Sequence, residues 1–237
     1  MWVRVALLWM LCGPVWAASM TELDYRDQDP GSPPYLTRIL VTKDYLRIDN
    51  GKDGDDYLIL DRAARRISNV LRDSREVMQI DAGRVSLARP AKWQVREEVK
   101  DLPQRGKRAR QVSLYVNNVL CSQAITVQGV LPDAVAALRE YLETLAATQA
   151  RTYRSTPPGL RDPCELAQYV LEIGRDLKHG LALEQVSHNG RSRHLLDYRT
   201  VELKPELFRI PANFRRVNLD GSRPAAGAGE QGDKGLK

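Results

Sequence analysis

Apolar and polar side chains alternate in short runs between residues 35 and 80. Runs at 35–41, 44–49, 57–61, 67–71 and 77–80 are separated by turn-forming residues. Leu46 and Ile48 alternate with Tyr45, Arg47 and Asp49, and Leu58 and Leu60 alternate with Tyr57 and Ile59. This period of two is that of strands with one face on a core. A spacing of about ten residues between runs predicts an antiparallel meander. A second strand region spans 112–127. Val112, Leu114 and Val116 share one face there, and Val119, Cys121, Ile125 and Val127 are expected to share another beyond Asn117-Asn118, a turn or a bulge.

The period changes to three and four from about Pro132 to Gln149, where Val135, Leu138, Leu142 and Leu145 predict a helix with one apolar stripe that needs a sheet to cover. A second helix is predicted from Asp162, a capping residue, through Pro163 at its first position to a stop at Gly180, with Leu166, Tyr169, Val170, Ile173 and Leu177 on its buried face. The runs 181–188 and 191–203 flank Asn189-Gly190, a dipeptide that predicts a hairpin with a two-residue type I′ turn. Residues 205–217, punctuated by Pro205 and Pro211, read as an extended edge or cover strand.

The two ends of the chain read differently from its middle. Arg4, the apolar stretch 5–11 and Val15-Trp16-Ala17 have the layout of a cleaved signal peptide over 1–17. The apolar stretch is too short to span a bilayer, which needs roughly 18 residues, and no later segment approaches that length. Cys12 follows the bulky Trp9-Met10-Leu11, which disfavours a lipid-attachment site. The expected order is therefore a leader (1–17), an extended segment (18–34), a single domain (35–218) and a disordered tail rich in Gly, Ala and charge (219–237). The net charge of +6 becomes one less without Arg4. In an exported protein such a surface points to anionic lipid, cell-wall polymer or an acidic protein, not to nucleic acid.

Loss of the leader leaves two cysteines, Cys121 and Cys164. In an oxidising compartment an even pair predicts one disulfide. A thiol nucleophile or a metal pair is the alternative, disfavoured because neither cysteine has a histidine neighbour in sequence. The densest positive patch, Arg105, Lys107, Arg108 and Arg110, is the candidate contact for an anionic surface, with Arg62, Arg65 and Arg66 as a second cluster. The acidic loop from Asp49 to Asp56 lacks an oxygen donor at Gly51 and a bidentate glutamate at Leu60, so it reads as a hairpin loop and not a calcium site. His179 falls at a helix end, and His188 and His194 are expected to face each other across the late hairpin. No metal-binding, hydrolase or nucleotide signature accompanies them. No cofactor is implied.

The Ile39-Leu40-Val41 run with Ile48, the Tyr57-Leu58-Ile59-Leu60-Asp61 strand, Arg66-Ile67, the paired cysteines and the stretch from Leu207 through Phe208, Ile210 and Phe214 together resemble a group of Gram-negative periplasmic domains of uncharacterised function. Those domains are similar in architecture to periplasmic lipoprotein carrier and receptor proteins. The resemblance implies an α+β fold in which a curved antiparallel sheet, a meander or half-barrel, wraps two α-helices. It implies a non-catalytic binding protein for an apolar chain of a lipid or lipoprotein, and it carries over no site residue. The alternative from another class is an envelope module that docks on a protein and holds no ligand, and an enzyme of envelope material ranks third.

Overall fold

The computed structural model describes residues 18–52, 54–105 and 108–219. The expected leader, the tail from 220 onward and Lys107 lie outside the described residues. Twelve strands form one open, curled sheet: β1 (Ser19–Gln28), β2 (Tyr35–Val41), β3 (Tyr45–Asp49), β4 (Tyr57–Asp61), β5 (Arg66–Leu71), β6 (Glu76–Asp81), β7 (Val95–Asp101), β8 (Ala109–Val116), β9 (Val119–Val127), β10 (Leu181–Ser187), β11 (Ser192–Glu202) and β12 (Arg215–Asn218). The spatial order is β12-β6-β5-β4-β3-β2-β1-β11-β10-β9-β8-β7. Every junction is antiparallel except the parallel β12–β6 pair. The sheet is thus two meanders, β1–β6 and β7–β11, joined where β1 pairs with β11.

Period-two patterning decides both faces of the first meander. Ile39, Val41, Leu46, Leu60 and Ile67 enter the main core on the inner face with Leu23 and Tyr25 of β1. Tyr57, Ile59, Val70 and Val77 are buried on the opposite face beneath Ile210 and Phe214. The segment after β11 is therefore a cover, as its apolar residues suggest, but it is not one extended strand. Pro205–Phe208 forms a 3-10 turn and only Arg215–Asn218 pairs, in parallel, with β6. β1 lies within the stretch read as an extended N-terminal segment, and its buried Leu23, Tyr25 and Asp27 follow the same period. β7 pairs along its whole length with β8, although its alternation of Val95 and Val99 with charged residues gives a weak apolar signal.

Helix α1 (Pro132–Ser155) starts at Leu131, whose φ is 44°. Its small residues Ala134, Ala137, Ala146, Ala147 and Ala150 are buried, while Leu142 and Leu145 are only half-buried. Arg62 clamps the helix to the first meander, donating to Asp133 at 2.9 Å and Glu140 at 2.8 Å, and Arg65 reaches Glu143 at 3.1 Å. Two of the three residues of the second basic cluster thus hold α1 in place, and Arg66 pairs with Asp81.

The second helix is not continuous. Asp162 caps it as expected, accepting from the Cys164 N–H at 2.7 Å. After α2 (Pro163–Leu166) the chain widens into a π-helical turn at Ala167–Leu171, leaves helical geometry at Glu172 and resumes as a 3-10 turn at Asp176–His179. The interruption coincides with three charged groups that turn inward. Glu172 pairs with Arg89 and Arg175, and Asp176 is bonded by Gln185 of β10. Gly180 then turns sharply into β10, with its Cα so near β9 that a Cβ would stand 2.1 Å from the Val127 carbonyl oxygen.

Two turns exchange roles relative to the sequence reading. The Asn189-Gly190 hairpin forms, but with the Gly190 N–H on the Ser187 carbonyl, the Ser187 N–H on the Arg191 carbonyl and only Gly190 at positive φ. This is a three-residue loop with a glycine bulge, not type I′. The two-residue turn with positive φ at both central positions is Asn117-Asn118 (49° and 65°), between the paired Val116 and Val119. Beyond it Cys121 sits at a register shift, with Tyr115 opposite Leu120 and Leu114 opposite Ser122. The bulge flips the alternation, so Ala124 and Thr126 are buried where Ile125 and Val127 were expected.

Candidate functional site

Between the inner face of the sheet and the helical segments lies a cavity of about 490 Å³. Its apolar wall comes from α1, where Leu138, Tyr141, Leu142 and Leu145 face Ile48, Val112, Leu114 and Ala124. The predicted apolar stripe of the helix is therefore divided by size. Alanines allow close docking on one side, and leucines look into open space on the other, which is why Leu142 and Leu145 stay half-buried.

The opposite wall is polar. Gln168 of the π-helical turn donates to the Cys121 carbonyl at 3.0 Å and accepts from Ser187 at 3.3 Å, and Gln123 donates to Ser113 at 3.3 Å. Asp176, also in the wall, is half-buried, and desolvation raises its pKa despite the bond from Gln185.

One charged unit anchors the β1–β11 junction. Asp27 and Arg193 oppose each other in register and form two hydrogen bonds of 2.7 Å, and Thr37 donates to Asp27 at 2.8 Å. The Arg193 guanidinium lies 5.0 Å from the centre of the Tyr25 ring, whose hydroxyl donates to the Ala182 carbonyl at 3.2 Å. Burial pushes the Tyr25 phenol up, so it stays a neutral donor. Toward solvent, Arg191 donates to Asp29 at 2.6 Å with Tyr169 beside it in the cavity lining, and Tyr35 donates to Asp29 at 3.0 Å. Hydrogen bonds from Arg191 and Tyr35 hold the Asp29 carboxyl below the ordinary range. These contacts tie the β10–β11 turn to the β1–β2 turn at the cavity rim. The cavity thus joins an apolar wall to a polar wall in which Arg193 pairs with Asp27 and Arg191 with Asp29 at the rim.

The disulfide is present. Cys121 and Cys164 are bonded with their Cα atoms 5.0 Å apart, which fixes the β9 bulge to the first turn of α2. Closing a loop of this length stabilises by roughly 4 kcal/mol in the chain-entropy account. The predicted basic patch divides. Arg105 pairs with Glu184 at 2.6 Å, Arg110 pairs with Asp101 at 3.0 Å, and Arg108 lies against Gly129.

The acidic loop joins β3 to β4 as a hairpin, with Asp49 held by Arg38 and Arg47 and Asn50 bonded to Asp55 at 2.6 Å. The histidines do not meet. His179 contacts Glu97 at 3.1 Å, His194 opposes Glu184 and Arg26, and His188 sits in the late turn against Asp162. The bulged three-residue loop carries His188 out of the pairing that a two-residue turn would have given it.

Sequence reasoning missed Tyr25, Asp27 and Arg193. Their signal was the Leu23-x-Tyr25-x-Asp27 alternation in a segment read only as extended.

No protein-family model and no curated protein matches the chain. Two solved structures of PNGF-II, in different space groups, are similar at 10% and 11% identity with TM-scores of 0.40 and 0.41. Each match covers 85% of this chain, which spans about a third of the PNGF-II chain (31% and 32%). Among the described residues no helix is long and apolar enough to cross a membrane.

Proposed function

We propose that the chain is an exported, non-catalytic binding protein of the periplasm, whose sheet wraps the two helical segments and whose cavity receives an apolar chain of a lipid or lipoprotein. The observation that carries this reading is the unfilled space beside Leu138, Leu142 and Leu145. A module that only docks on another protein would do better to fill that space with its own side chains. The volume falls in the range of small-molecule sites, about 300–1,000 Å³. Each methylene moved from water into such a wall gains about 0.8 kcal/mol, so about ten buried carbons supply about 8 kcal/mol before ordering costs. That is the scale of micromolar binding. The polar groups of the ligand then lie toward Arg191, Asp29 and Tyr35 at the rim.

The test is displacement of an environment-sensitive fluorescent fatty acid from the mature protein. Saturable binding that weakens at least tenfold in Leu142→Trp, with the fold retained by circular dichroism, is expected. Absence of binding to the wild type, or equal binding to the variant, would reject the cavity as the site and favour the docking module.

A further inference from the structure

Asp162, Cys164 and His188 present one ligand atom each, all within 4.8 Å of one another, and Cys121 is bonded to Cys164. Three separate segments bring these groups together: the β9 bulge, the cap and first turn of α2, and the β10–β11 turn. We propose that, when the disulfide is reduced, these four residues form a zinc site with two thiolates, one imidazole and one carboxylate.

The donor set is what zinc selects, and the sulfurs and imidazole are the ligands that exclude magnesium and calcium. Zinc–ligand bonds of about 2.0–2.3 Å place the donors of a tetrahedron roughly 3.3–3.8 Å apart, a spacing that Asp162, Cys164 and His188 approach and that requires the Cys121 sulfur to turn away from Cys164 once the bond is broken. Hydrogen bonds tie the same frame together beside the sulfur–sulfur bond. The His188 N–H donates to the Cys121 carbonyl at 2.9 Å, Gln168 donates to the same carbonyl at 3.0 Å, and one Asp162 oxygen accepts from the Cys164 N–H at 2.7 Å. The other Asp162 oxygen already faces His188 Nε2.

A dithiol reductant supplies two electrons and two protons, which break the Sγ–Sγ bond to give two thiols while the reductant becomes a disulfide. Zinc then takes both thiolates and releases two protons. The site would hold the β9 bulge to α2 in place of the disulfide, and the cavity wall at Gln168 and Ser122 would be kept in either redox state.

The experiment titrates the mature protein with Co²⁺ alone, reduced with a phosphine and, in parallel, oxidised. One-to-one binding with a thiolate-to-cobalt charge-transfer band in the reduced form, absent from the oxidised form and displaced by zinc, is expected. Cys164→Ser should lose about half of that band, and His188→Ala should bind at least tenfold more weakly. A folded reduced protein without the band would overturn the proposal, as would unchanged affinity in His188→Ala. If reduction unfolds the chain, recovery of the native circular dichroism on adding zinc supports the site, and failure to recover rejects it.

Discussion

The two meanders solve the same problem in different ways. In β2–β6 both faces are covered, the inner one by α1 and the outer one by the segment after β11, and its charged residues act as clamps. Arg47 is 4% exposed, donates to Asp49 at 2.5 Å and lies 3.9 Å from the centre of the Tyr57 ring. In β7–β11 a broken helix is held by a disulfide, by hydrogen bonds from Gln168 and by the pairing of Glu172 with Arg89 and Arg175, and space is left between it and the sheet. The difference is one of ties: packing fixes the first half, and covalent and polar ties fix the second, with the cavity lying between α1, the broken helix and the inner face of both halves.

The largest expected effect falls on the scaffold. Arg47→Ala leaves the buried Asp49 carboxylate with a partner fewer and should cost about 3–5 kcal/mol in denaturant unfolding. A cost below about 1 kcal/mol would mean that the outer cover carries less than its contacts suggest. Cys121→Ala should cost about 2–5 kcal/mol in the oxidised protein. Its effect on amide exchange should concentrate in α2, the π-helical turn and β9, while β3–β5 keep their relative protection. Uniform loss of protection would erase the distinction between the halves.

Core leucines sharpen the contrast. Leu60→Ala, in the filled core, should cost about 2–5 kcal/mol. Leu142→Ala, which already faces open space, should cost about 1 kcal/mol, since only part of its surface leaves water on folding. Equal costs would mean that the cavity closes in solution.

Two carboxylates give the smallest and most diagnostic difference, because their pH dependences have opposite signs. Burial alone would raise the pKa of Asp49, but hydrogen bonds from Arg38, Arg47 and the Gly51 N–H outweigh it and lower the value. Asp49 therefore contributes stability that is present above the unfolded value, about 3.9, and is lost as pH falls through its lower folded value. Asp176 is raised by burial, so its native form binds a proton that the unfolded chain has released, and stability declines as pH rises above about 3.9. Asp176→Asn is accordingly expected to raise the melting temperature at neutral pH relative to wild type, with the gain vanishing below about pH 4. A gain that persists at low pH would point to packing and not to charge.

The scaffold was the legible half. Its strands announce themselves through Leu46, Ile48, Leu58 and Leu60, and its cover through Phe208, Ile210 and Phe214, because two-sided burial leaves a strong apolar record. The site half was read less well for physical reasons. Apolar period alone does not reveal that the leucines of α1 face a void while its alanines carry the docking. A bulge at Cys121 inverts the face of everything after it, and bulges leave no hydrophobic mark. The break at Glu172 depends on Arg89 and Gln185, which are remote in sequence. The Asp27–Arg193 pair joins the two ends of the chain, and local pattern carries no information about such a partner.

The proposed function requires that the cavity beside Leu138, Leu142 and Leu145 holds an apolar chain. Native mass spectrometry of the protein purified gently from a Gram-negative periplasm tests it most directly. A lipid-sized adduct on the wild type, lost in Leu142→Trp, is the predicted result. A wild-type spectrum with only the apoprotein mass, less two hydrogens for the disulfide, would contradict it.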